Sequence, residues 1–178
     1  KRRAAPLTFN VRRHKMSDRT VQIKVPEAHF TLFNVTRGGK PEVVVVNDAL
    51  LSFPHNEVFP WHLSVTLEAA DLIDNGMPSP KESELLFAIG DEIEQAVIDG
   101  RTENGANNAL FVARSTWNEI RELLFQVHDP EIAHFALQEL LNSRNWERSW
   151  GYRMEEDTEW VNAADLFQLF PQATQSDA

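Results

Sequence analysis

Two helix starts led by proline constrain the fold of this chain more than any other feature. In Ser79-Pro80-Lys81-Glu82 a serine stands at the N-cap, proline at the first helical position and glutamate at the third. This is a capping box, which satisfies amides that a new helix leaves without partners. Leu85, Leu86, Ile89, Ile93, Ala96 and Val97 follow at helical spacing until Gly100. One apolar stripe should therefore face a core, and the helix should stop at that glycine. Asp129-Pro130-Glu131 repeats the device, and Ile132, Phe135, Ala136 and Leu140 carry a second helix towards Arg144.

The segments around these helices have a period of two. Trp61, Leu63, Val65 and Leu67 alternate with His62, Ser64 and Thr66, which gives a strand with one apolar face. Residues 109–115 and 120–128 are apolar on both faces or strongly alternating, so they read as a hairpin near the centre of a sheet, with Trp117-Asn118 in its turn. Residues 150–156 give a last strand and residues 160–170 a short closing helix. The order strand, helix, strand, strand, helix, strand predicts an α+β fold. It corresponds to a ferredoxin-like βαββαβ core with an antiparallel sheet and two helices on one face. Before it, residues 21–25, 30–36 and 42–46 read as strands, the last two joined by Arg37-Gly38-Gly39-Lys40. The expected organisation is a basic flexible leader over 1–19, an N-terminal β-hairpin extension over 20–60, the core with its closing helix over 61–170, and a disordered tail over 171–178. This leaves open whether solvent, the extension or a partner covers the second face of the sheet.

Charge narrows the choice of partners. Residues 1–15 contain six basic side chains and no acid, so the remaining 163 residues hold 11 basic against 27 acidic side chains, a net charge near −16. Such a body repels nucleic acid and anionic membranes and attracts a basic protein. The RNA-recognition module shares the βαββαβ order, but its third strand needs a basic residue, a glycine and exposed aromatics. Asn108-Ala109-Leu110-Phe111-Val112-Ala113-Arg114 offers one aromatic and no glycine. There is no cysteine and no apolar run long enough to cross a bilayer, which removes thiol chemistry and disulfides and points to a cytoplasmic protein.

Several short motifs lie in a telling order: Pro41 to Asn47, Phe59-Pro60-Trp61 entering a strand, Asn75-Gly76-Met77-Pro78 before an acidic helix, Val112-Ala113-Arg114, and Tyr152 to Trp160 with its Glu-Glu-Asp-Thr-Glu-Trp ending. Through them, residues from about 28 to 170 resemble the mostly bacterial family called domain of unknown function six-nine-five. Thr158 stands where that family favours proline. The resemblance implies no catalytic residues. At the level of fold alone it is also similar to the acidic regulators that inhibit ribonuclease E.

Candidate chemistry is sparse. No pair among His14, His29, His55, His62, His128 and His134 has the i, i+4 spacing of a helical zinc site. His62 and Thr66 on the first core strand, with Glu122 and His128 on the third, are the residues placed to form an acid–base or ligand site on the open sheet face. Glu82/Glu84, Asp91/Glu92 and Glu155/Glu156 read as solvated helix or terminal faces. The phosphate-binding loop, the dinucleotide glycine pattern and the nucleophile elbow are missing. No cofactor or metal is expected. Trp117 and Trp146, in expected turn and loop, are the candidates for an exposed binding patch. The function expected first is a non-enzymatic regulatory or protein-interaction domain with a basic partner such as a nuclease or toxin. An enzyme or small-molecule-binding domain on the open sheet face is the alternative.

Overall fold

The computed structural model describes residues 7–10 and 20–171, with side chains from Ile23 onward. Most of the expected leader and tail lies outside these residues. Within the leader, β1 (Leu7–Asn10) pairs antiparallel with β2 (Thr20–Ile23) as a separate two-stranded sheet.

The main sheet has six strands: β3 (Phe30–Arg37), β4 (Lys40–Asn47), β5 (Trp61–Glu68), β6 (Ala109–Trp117), β7 (Ile120–Val127) and β8 (Trp150–Glu156). Their spatial order is β3-β4-β6-β7-β5-β8, and every neighbouring pair is antiparallel. Three helices, α1 (Pro80–Ile98), α2 (Pro130–Asn142) and α3 (Val161–Phe167), complete an α+β fold. The β3–β4 hairpin continues the sheet along β6.

Both predicted helix starts form. Ser79 Oγ accepts from the Glu82 amide at 3.2 Å, Asp129 Oδ1 accepts from the Glu131 amide at 2.9 Å, and each helix begins with its proline. Helix α1 ends with Asp99 as its C-cap, where Gly100 serves close packing: a Cβ there would lie 3.2 Å from Ile132 Cγ2 and 3.1 Å from the Val97 carbonyl. Leu86, Ile89, Ile93 and Val97 of α1, with Ala133 and Leu137 of α2, bury themselves on Leu63, Val65, Leu67, Leu123, Phe125 and Val127. Both helices therefore cover one face of the sheet.

The second face is closed at one end by two segments that the alternation does not reveal. Leu50, Phe53, Val58 and Phe59 from the turns after β4, and Trp160 and Ala163 of the closing segment, pack on Val44, Val46, Leu110, Val112 and Leu124. Trp160 is 2% exposed and stacks on Phe53, and its indole N–H donates to the Phe59 carbonyl at 3.0 Å. Asp157 fixes this lid: its carboxylate accepts from the amides of Val161 (2.7 Å) and Asn162 (3.1 Å), while its own amide donates to Pro60 O at 2.7 Å.

Two boundaries differ from the sequence reading. Trp117 is the last residue of β6, and the turn is Asn118-Glu119, both at positive φ (45° and 74°). No glycine marks this turn. Other parts of the chain hold it, because the Ala69 amide donates to Glu119 O at 2.7 Å, the Glu119 amide donates to Gly76 O at 3.1 Å, and Lys40 Nζ donates to the Asn118 side chain. The second strand also stops at Ile23, two residues short of the expected Val25.

Candidate functional site

The part of the second face that the lid leaves open carries polar side chains. Since Leu63, Val65 and Leu67 point to the helices, Ser64 and Thr66 must point the other way, and strand register sets Glu122 of β7, Ser115 of β6 and Arg153 of β8 beside them. Arg37, Thr66, Ser115, Trp117, Ile120, Glu122 and Arg153 line a depression of about 280 Å³.

Two serine–glutamate pairs organise it. Ser64 Oγ donates to Glu122 Oε1 at 2.5 Å, and Ser115 Oγ donates to Glu42 Oε1 at 2.6 Å. The Arg37 guanidinium lies over the Trp117 ring at 4.5 Å and reaches Glu42 at 3.5 Å, while the Trp117 indole N–H donates to the Arg37 carbonyl at 3.0 Å. The Arg153 side chain is exposed and makes no ion pair or hydrogen bond among the described residues.

Of the residues singled out from sequence, Thr66, Glu122 and Trp117 meet in this depression. His62 lies on the same face but below the surface, 4% exposed, with Nδ1 lacking a hydrogen-bond partner. Burial pushes its pKa below the usual value, against the pull of Asp157, Glu155 and Glu122. His128 is tied to the lid, because its Nδ1–H donates to the Val58 carbonyl at 2.6 Å. Trp146 is set apart from Trp117: it packs edge-on against Trp150 in the helix-side core, under the guanidinium of Arg144. Among the described residues, no three His, Asp or Glu side chains gather as a metal site.

Sequence reasoning missed Arg37, Glu42, Ser64, Ser115 and Arg153. Parity along the strands would have found Ser64 and Arg153, since each alternates with a helix-facing residue, whereas a bulge between Phe111 and Ala113 reverses the parity of β6 and hides Ser115. Arg37 and Glu42 had no such signal, because their place depends on the hairpin joining the sheet at β6.

Fold and site together define an α+β domain with a six-stranded antiparallel sheet, helices on one face and a polar depression on the other. Residues 29–166 match the family model described as a family of unknown function, DUF695, and the chain belongs to that family. No curated protein and no solved structure matches the chain.

Proposed function

We propose that this domain is a small-molecule-binding module, and that the depression takes a ligand with an anionic group at one end and a hydroxyl or amine at the other. The observation that carries this reading is Arg153, an exposed guanidinium with no partner among the described residues, at the rim of a floor built from serine–glutamate pairs. A guanidinium fork binds carboxylate or phosphate with two parallel hydrogen bonds. Glu122 accepts one hydrogen bond from the Ser64 hydroxyl and keeps further lone pairs for a ligand donor. Trp117 and Ile120 supply apolar walls. Binding is the chemistry favoured over proton transfer, since each carboxylate is held by a serine and neither His62 nor His128 lines the depression. The strand order β6-β7-β5-β8, with α1 and α2 as the connections, supports the ferredoxin-like reading of the core.

Titration calorimetry with a panel of amino acids, hydroxy acids and sugar phosphates tests this. Arg153→Gln should weaken the best binder roughly tenfold or more, as expected for a lost charge-assisted pair, and leave the melting temperature unchanged. Affinity that survives this substitution, or a panel without a binder, contradicts the proposal.

The charge of the chain supports a second reading, a basic protein partner, given 27 acidic against 17 basic side chains. Such an association should weaken steeply as salt rises, and one insensitive to salt would rule this reading out.

A further inference from the structure

On the helix side of the sheet, β3 and β4 extend beyond the cover of α1, leaving an apolar groove of about 210 Å³ between Leu32, Val43 and Val45 of the hairpin and Met77 and Phe87. Arg121 of β7 sits in its wall. It is 3% exposed, and its Nε–H donates to Thr116 Oγ1 at 3.1 Å, but its Nη1 is buried with no hydrogen-bond partner and it forms no ion pair among the described residues. Arg114, whose charge opposes it, is paired with Glu94 at 3.2 Å and Asp91 at 3.6 Å, and Asp91 reaches Arg121 only through its charge, without a contact. Burial and the charge of Arg114 push the pKa of Arg121 down to about 10, which leaves it a cation at neutral pH.

The Phe87 ring covers the Arg121 guanidinium at 3.9 Å and is itself 43% exposed. A cation–π contact supplies no hydrogen-bond acceptor and is weaker than the hydration an ion gives up on leaving water. The ring therefore offsets only part of the cost of burying this cation. What is missing is a carboxylate, and what surrounds the place for it is apolar.

We propose that this groove binds a small apolar monocarboxylate, with the Phe87 ring turned aside so that the carboxylate pairs with Arg121 and the hydrocarbon lies along Leu32, Val43 and Val45. This site lies on the face of the sheet opposite the polar depression. The carboxylate supplies the charge and hydrogen-bond acceptors that Arg121 lacks, and the chain covers apolar surface that the two helices leave open.

The test compares sodium octanoate with 1-octanol by titration into the full chain. Octanoate should bind roughly tenfold or more tighter than the alcohol, because only the acid completes the buried guanidinium. Arg121→Met should abolish that preference while the protein melts no lower, since an unpaired buried cation is replaced by an apolar side chain of similar length. Val45→Phe, which fills the groove and leaves the guanidinium in place, should weaken both ligands. Equal affinity for acid and alcohol, absence of octanoate binding, or an acid preference retained in Arg121→Met overturns the proposal. The first comparison needs no variant, so it stands even if a substitution unfolds the chain.

Discussion

Burial governs the titration of His62 more than its acidic neighbours do. Because its pKa is held below the usual 6.5 in the folded protein, the unfolded chain takes up a proton first as pH falls. The resulting loss of stability is absent well above 6.5 and grows as pH drops through and below it. Urea unfolding should therefore show the unmodified protein losing stability between about pH 7.5 and pH 5.5, and His62→Gln should flatten that part of the curve. Identical slopes for the two proteins would contradict the assignment. Asp157 behaves in the opposite sense: hydrogen bonds from Val161, Asn162 and Gln126 outweigh its burial and hold its pKa below 3.8. Its contribution is present above that value and is lost only in stronger acid. Sequence placed His62 on the open side of its strand but could not show its depth, which depends on a lid whose Trp160 comes from the far end of the chain. The same lid, through Val58, takes His128 away from any site.

Among the elements, legibility followed local chemistry. Helices α1 and α2 were plain because cap, proline and period occur within a few residues of one another. Strands β5, β7 and β8 were plain because alternation is strict or bounded by turns. The β6–β7 turn was misplaced because Asn118-Glu119 lacks the glycine that its backbone favours, and contacts from Ala69, Gly76 and Lys40, far off in sequence, hold it instead. Glu119→Gly should consequently stabilise the protein by about 1 kcal/mol by relieving the left-handed backbone of a non-glycine residue. Thermal denaturation showing a lower midpoint would mean the turn is not strained. Ser79→Ala should cost about 1 kcal/mol through the lost cap, measured by the same unfolding curves. Asp157→Ala should cost about 1–2 kcal/mol and make the buried Trp160 accessible to a fluorescence quencher, because α3 loses the carboxylate that accepts from its first amides.

At the scale of the whole molecule, the sheet separates two kinds of surface. One face is nearly filled by α1 and α2, with an apolar groove remaining beside the hairpin. The other is sealed at one end by the segment around Phe53 and Phe59 together with α3, and stays polar at the other end. The α+β class and both helices were legible from the chain alone. The polar site was legible only in part, through Thr66, Glu122 and Trp117, since Ser115 and Glu42 stand 73 residues apart and meet only through register. Trp117 gives the most direct test of the claim that this open end is a binding site. Its indole N–H is hydrogen-bonded at the wall of the depression and can be followed as one resolved signal in a proton–nitrogen NMR spectrum, assigned with Trp117→Phe. Addition of the best ligand from the calorimetric panel should shift that signal, and the amides of Thr66, Ser115 and Glu122, in a saturable way that Arg153→Gln weakens. A saturable response confined to other residues, with the Trp117 indole unmoved, would contradict the account.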